Sequence, residues 1–404
     1  MNLDFRELKV PDSSSHTTKP SCISAIHLWL VTQVERNDDD FSLGEALQSY
    51  HPLLEHVFTY LDKASLQCAR CTCTIWNELA TKELNKRISP SWIAFYPNGR
   101  LTCSRGFSYT NVSFGIFAYN PKLVKLDGTL CVHGLSDETK MSVAEYFESI
   151  TEARLRYCVI ACPSLTPIVP STSADQLAVG FQGLFVPRIP HVETHMFRSN
   201  AKSAPTFRSG AAPRLRVKCC IIFSGSTVRL LEPFLRAYLA AERPESVALG
   251  GGFIYNKKSL QMPEGERFKD SEIFCMAFLQ ADGAEANFAA HSVVIVNETE
   301  DEVGFVNELV QFKEGLVLHK YGVLFRFCCK AKTWKVDESD IIRRHFPDFV
   351  LYGMDVNGEI GWNTGNGSTT TEELPSAKKR RKKDLPPYVY GWSTVLVLLT
   401  WNKK

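Results

Sequence analysis

Leu53-Leu-Glu-His-Val-Phe-Thr-Tyr-Leu-Asp62, followed by Ser65-Leu66, Cys71-x-Cys73 and Trp76, is the stretch from which the architecture is best read. Leu54, Val57, Phe58 and Leu61 fall at i, i+3, i+4 and i+7, one face of a helix, and Leu53 widens that face. No Gly or Pro interrupts the helical period up to Ile88. Asp62 is placed to N-cap a second helix carrying Leu66 and Ala69. Cys73, Trp76 and Leu79 line a third. A domain below about 40 residues rarely buries enough apolar surface to stand alone. Either the rest of the chain packs on these helices or a partner covers them, and periodicity leaves both readings open.

Beyond Ser89-Pro90 the texture changes to short apolar runs broken by Gly and Pro. Trp92 to Tyr96, Val112 to Tyr119, Tyr157 to Ala161 and Leu215 to Phe223 read as strands. Val228, Leu231, Leu235 and Leu239 form a helix face ahead of the strand Val247 to Leu249. Phe274 to Leu279 and His291 to Val296 read as strands, and Val303, Val306 and Val310 as another helix face. The strand Gly322 to Cys329, the helix Ile341 to His345 and the strands Phe349 to Gly353 and Thr394 to Trp401 complete the pattern. Such alternation predicts a layered α/β domain behind an N-terminal all-α segment. Long unpatterned stretches 164–173, 198–213 and 363–387 read as surface loops. No repeat is evident among the residues. The expected organisation is a mostly disordered lead-in over 1–47, helices over 48–90, a first α/β part over 91–214 and a second over 215–404.

The helical stretch closely resembles an F-box, with its apolar pair, Phe-x-Tyr-Leu run, Ser-Leu and closing Trp; Ser49-Tyr50 replaces the usual opening Leu-Pro. His345-Phe-Pro-Asp-Phe-Val-Leu-Tyr-Gly-Met-Asp-Val-Asn-Gly-Glu-Ile-Gly361 resembles the closing signature of a FIST domain, and Ala248-Leu-Gly-Gly-Gly252 an earlier turn of it. Together they are similar to the family of F-box only protein 22 and its relatives. The resemblance implies a three-helix F-box ahead of a FIST-type α/β domain, in a substrate-recognition subunit of an SCF-type ubiquitin ligase that promotes proteasomal degradation. It implies that Leu53, Leu54, Val57, Phe58, Leu61, Leu66 and Trp76 bind the small adaptor that bridges to a cullin, and that the α/β domain holds protein substrates. A ligand-sensing FIST protein without a ligase role is the alternative. Gly353, Asn357, Gly358, Glu359 and Gly361 mark a turn that binds ligand or substrate, or a purely structural hairpin. In the second case Asn357-Gly358 is a type I′ signal, needing φ > 0 at both positions.

Bulk properties narrow the classes. The 404 residues carry a net charge of +2, of which Lys378, Lys379, Arg380, Arg381, Lys382 and Lys383 supply six positive charges. The remainder is therefore acidic, and no broad nucleic-acid surface is expected. That basic run reads either as a solvated loop or as a nuclear-import signal, so nucleus and cytoplasm are the expected compartments. The 13 cysteines, an odd number after a polar start, fit free thiols in a reducing compartment. No apolar run is long enough to span a bilayer, so no membrane partner is expected.

No cofactor, metal or catalytic residue is expected. Cys68-x-x-Cys71-x-Cys73 lacks a second ligand pair for structural zinc and reads as core packing. One of each pair Cys219-Cys220 and Cys328-Cys329 is expected in the core, with no disulfide. His191, Glu193 and His195 share a strand face but lack a further ligand. Gly250-Gly-Gly252 has no following Lys-Ser/Thr, and Ser224-Gly-Ser226 misses the first glycine of a nucleophile elbow.

Overall fold

The computed structural model describes residues 51–97, 101–104, 109–124, 129–132, 139–142, 155–169, 178–199, 215–225, 228–240, 242–254, 260–261, 272–281, 287–296, 301–332, 337–364 and 385–402. The lead-in 1–47, the basic run 378–383 and most of the loops 198–213 and 363–387 lie outside them. The chain divides into two compact units, Met1–Leu84 and Asn85–Lys404.

In the first unit α1 (His51–Tyr60), α2 (Lys63–Ala69) and α3 (Thr74–Lys86, running just past the unit's edge) form a helical segment. The Asp62 side chain accepts from Ser65 N at 2.7 Å, as its position predicted, which satisfies one orphan N–H of α2. Leu54 and Phe58 on α1, with Leu61 just after its end, meet Leu66, Ala69, Ala80 and Leu84 in one small core. On α3 the buried residues are Ala80, Glu83 and Leu84, while Trp76 and Leu79 are half-buried at the margin of that core.

The second unit is built from β1 (Ser91–Phe95), β2 (Leu101–Cys103), β3 (Val112–Tyr119), β4 (Thr129–Val132), β5 (Thr139–Ser142), β6 (Arg156–Ala161), β7 (Leu165–Thr166) and β8 (Phe181–Pro187). There follow β9 (Val192–Ser199), β10 (Leu215–Ser224), α4 (Val228–Tyr238), β11 (Ala248–Phe253), β12 (Leu260–Gln261) and β13 (Ile273–Ala281). Last come β14 (Phe288–Ile295), α5 (Glu302–Glu314), β15 (Tyr321–Cys329), α6 (Glu338–His345), β16 (Val350–Val356), β17 (Glu359–Ile360), β18 (Val389–Tyr390) and β19 (Thr394–Trp401). Three sheets result, ordered β12-β6-β3-β8-β1-β2, β18-β17-β11-β10-β13-β9 and β14-β19-β15-β16-β7, and β4 pairs with β5. This is a mixed α/β, sheet-rich region behind N-terminal helices.

The three sheets share one connectivity. In each, a first strand runs antiparallel to a fourth, the fourth antiparallel to a second, and the second parallel to a third: β1-β8-β3-β6, β9-β13-β10-β11 and β14-β19-β15-β16. Between its third and fourth strands each repeat sends out a short strand that pairs antiparallel with the third strand of another repeat. β7 joins β16, β12 joins β6, and β17 joins β11, closing a cycle. A threefold structural repeat is thus present where no residue period shows. The expected division at 214/215 falls between β9 and β10, two strands of the same sheet.

Phe114 and Ile116 of the first sheet, Ile221 and Phe278 of the second, and Phe325 and Val397 of the third meet in one core. Buried polar atoms there are paired across sheets: Tyr352 OH donates to Ile116 O (3.1 Å) and Gln182 Nε2 to Gly353 O (2.9 Å). α4 covers the outer face of the second sheet, and α5 with α6 that of the third. Central strands are therefore buried on both faces. For that reason both members of Cys219-Cys220 and Cys328-Cys329 are buried, not one of each; all four are free thiols.

The α5 face read from the valines is corrected at two of its three positions, Val306 alone being half-buried against the core. Phe305, Leu309 and Phe312 are buried, whereas Val303 is 69% exposed and Val310 is exposed too. Three large aromatic and leucine side chains bury more apolar surface than three valines, so they take the sheet side.

Candidate functional site

Two features stand out. The first is on α1, where Leu53, Val57 and Tyr60 lie at i, i+4 and i+7, a second stripe beside the buried one. Leu53 is 46% exposed, Tyr60 66%, and Val57 half-buried. Trp76 packs edge-on against Phe58, with ring centroids 5.4 Å apart, and stays half-exposed. Of the seven residues expected to bind an adaptor, Leu54, Phe58, Leu61 and Leu66 are buried in the segment's own core. They hold the helices together, and Leu53, Val57 and Trp76 remain to be touched. Tyr60 extends this stripe but falls outside the buried helical period, so the period does not mark it.

The second feature is a cavity of about 510 Å³ lined by Val228, Phe253, Cys329, Val356, Tyr390 and Trp392, with Lys330, Asn357 and Gly358 among its polar contributors. Phe253, Cys329 and Val356 are the last residues of β11, β15 and β16. The cavity thus lies at the carboxyl ends of two parallel pairs, β10/β11 and β15/β16, where open α/β sheets place ligands. It is an open cleft with an apolar floor, shaped to receive a side chain rather than to enclose a molecule. Trp392 holds φ +60, a left-handed conformation rare for a bulky residue, with its side chain 57% exposed at the rim.

The turn Asn357-Gly358 reaches this cavity, but it is not a type I′ hairpin. Only Gly358 has positive φ (+126), and β16 and β17 do not pair with each other. The chain leaves the third sheet here and enters the second. Asn357 N donates to Phe253 O and Phe253 N to Gly358 O, both at 3.0 Å. Gly353 is buried on β16, where an added Cβ would sit 2.4 Å from Thr166 Oγ1; the glycine lets β7 approach. Gly361 is buried against Val395. Glu359 is buried, and its carboxylate accepts from Ser393 N (3.3 Å) and Oγ (2.8 Å). Burial pushes its carboxyl above the usual range, against the opposing donors. Gly353, Glu359 and Gly361 shape the crossover without lining the cavity. Trp392, Tyr390 and Phe253 come from other segments and carried no motif.

Beneath α6 lies a buried charge cluster. Glu338 accepts from Arg326 Nη2 (2.8 Å) and Lys332 Nζ (2.5 Å), and Thr394 Oγ1 donates to it at 2.8 Å. Burial pushes the Glu338 carboxyl up, but the two cations outweigh it and hold it below the ordinary range. Every partner is internal, and the cluster ties α6 to β15 and β19.

Among the described residues no group of three His, Cys, Asp or Glu is arranged to hold a metal ion, and no helix is long and apolar enough to cross a membrane. His195 Nε2 lies 3.1 Å from Glu193 Oε2, while His191 stands outside β9 with φ +59. The expectation that Cys68, Cys71 and Cys73 pack in the core is overturned. Cys68 and Cys71 are exposed and Cys73 half-exposed, because Leu66 and Ala69 take the core face of α2 and the turn after it faces solvent.

Residues 51–91 match the F-box-like family. The match covers about a tenth of the chain and includes all three helices and the outward stripe of α1. No curated protein matches the chain. An F-box-like segment points in general to substrate recognition in SCF-type ligases and to binding of their small adaptor, and F-box segments typically act as non-catalytic adaptors.

Proposed function

We propose that this chain is the substrate-recognition subunit of an SCF-type cullin–RING ubiquitin ligase. The exposed stripe Leu53, Val57 and Tyr60, with Trp76 beside it, binds the adaptor that links to the cullin. The region 91–404 is a FIST-type α/β domain, akin to that of F-box only protein 22 and relatives, and it holds protein substrates. Bound proteins are ubiquitinated by other subunits and degraded by the proteasome; the chain itself is not catalytic. It works in nucleus and cytoplasm, with Lys378 to Lys383 directing import. The observation that carries this reading is the conjunction of the F-box-like match with a stripe of large apolar side chains left outside a closed helical core. Monomeric proteins rarely leave such side chains adjacent unless something binds there. The test is co-purification of adaptor and cullin with the full chain; their absence from a native pull-down refutes it.

A second reading, a ligand-sensing FIST protein without a ligase role, is favoured by the apolar cavity at the strand ends. Retained cavity binding in a chain that never recruits the adaptor would support it.

A further inference from the structure

Cys68-x-x-Cys71 belongs to nothing assigned above. Both thiols are free and exposed, and Cys73 follows two residues later. Cys71 N donates to Cys68 O at 3.0 Å, closing a four-residue turn at the end of α2. Such a turn keeps its end Cα atoms within about 7 Å, which overlaps the separation that a disulfide spans. Cys71 Sγ now donates to Gln67 O at 3.6 Å, a contact that a crosslink to Cys68 would break. Cys158, Cys162, Cys219, Cys220, Cys275, Cys328 and Cys329 are all buried. Among the described cysteines only Cys103 shares the exposure of Cys68 and Cys71, and it has no cysteine near it in sequence.

The turn also joins two parts of the proposed docking element. It leads from α2, which carries Leu66, into α3, whose first turn begins with Asn77 N donating to Cys73 O at 2.9 Å and presents Trp76. Residues 72–76 run directly from this turn to Trp76, whose ring packs on Phe58.

We propose that Cys68 and Cys71 are a reversible thiol pair whose oxidation by peroxide releases the helical segment from its adaptor; this rests on the adaptor reading above. One thiolate attacks hydrogen peroxide, breaking the O–O bond to give a sulfenic acid and hydroxide, which takes up the thiol proton as water. The second sulfur displaces the sulfenic oxygen, which leaves as water, and the S–S bond forms. Two thiols and one peroxide give one disulfide and two waters, with two electrons passing from sulfur to oxygen. A dithiol reductant reverses the step by exchange.

The test uses the full chain, treated with hydrogen peroxide or dithiothreitol, alkylated and mapped by peptide mass spectrometry, with adaptor affinity measured alongside. The expected result is a Cys68–Cys71 linkage, an affinity at least about tenfold weaker, and recovery on re-reduction. Cys71→Ser, an exposed position, keeps the reduced affinity and loses both the linkage and the peroxide response; Cys103→Ser retains both. The proposal is overturned if the two thiols survive doses that oxidise Cys103, or if the linkage forms and affinity does not change. Failure of the reduced wild type to bind adaptor refutes the adaptor reading and the switch with it. The peptide map then decides separately whether the thiol pair exists.

Discussion

Replacing Leu53 and Tyr60 together by Ala tests whether the outward stripe of α1 is a docking face. Leu53 is 46% exposed and Tyr60 66%. Covering a whole leucine is worth about 1.5–3 kcal/mol, so the exposed half of Leu53 contributes about 1 kcal/mol. A tyrosine buries about 150–250 Å² when fully covered, and two thirds of that contributes about 2.5–4 kcal/mol. The double variant therefore loses about 3.5–5 kcal/mol, or at least about 100-fold in Kd. Its folding stability should change by no more than about 0.5 kcal/mol per site, since neither side chain lies in the helical core. Leu54→Ala is the contrast. Leu54 is buried in that core, so its truncation costs about 2–5 kcal/mol of the segment's stability and weakens docking only through unfolding. Isothermal titration of the full chain with purified adaptor, with helical signal followed on heating, separates the two. Binding of the double variant within about threefold of wild type would refute the face.

Glu338→Ala removes the buried carboxylate that Arg326 and Lys332 share, although Asp355 still lies 3.6 Å from Arg326, and should cost about 3–5 kcal/mol, read as a lower unfolding midpoint in denaturant. The folded carboxyl is held below its unfolded value, so its contribution is present above about pH 4.3 and disappears as pH falls through the folded value. Wild type should lose its advantage over the variant only in that acid range; an advantage that persists there contradicts the assignment. Replacing Lys378, Lys379, Arg380 and Arg381 by Ala should move a fluorescent fusion toward the cytoplasm, and an unchanged nuclear fraction reduces the run to solvation. Residues 85–404, one compact unit with its own shared core, should fold alone and lengthen substrate half-life when expressed in excess, by occupying substrate without delivering it. An insoluble fragment, or one without effect on any protein's turnover, counts against the receptor reading.

Local pattern was enough for many of the elements, but the strand reading passed over β8 (Phe181–Pro187), which is buried at the centre of the first sheet. The helical period at Leu54 to Leu61, the Asp62 cap, the change of texture after Pro90 and the strand at Thr394 to Trp401 are properties of neighbouring residues, and neighbouring residues decide propensity and capping. Which side of an element faces inward was legible less often. Phe305 displaced the valines of α5, and both cysteines of each strand pair are buried because a sheet lies on one side and a helix or second sheet on the other. Asn357-Gly358 read as a hairpin because two extended segments flank it. Only the pairing of β17 with β11 shows that the chain changes sheet there.

The threefold repeat and the cavity belong wholly to tertiary structure. A repeat of connectivity needs three strand orders and three crossing strands, not three similar sequences, since many apolar residues fill a buried strand equally well. The cavity gathers Val228, Phe253, Cys329, Val356 and Trp392 from five separate segments, and no spacing in the chain foretells their meeting. Sequence alone settled that an N-terminal helical element precedes an α/β region, because period and capping act within a few residues. The tertiary structure decided which apolar side chains of that element remain outside, because burial depends on what the whole fold has already covered.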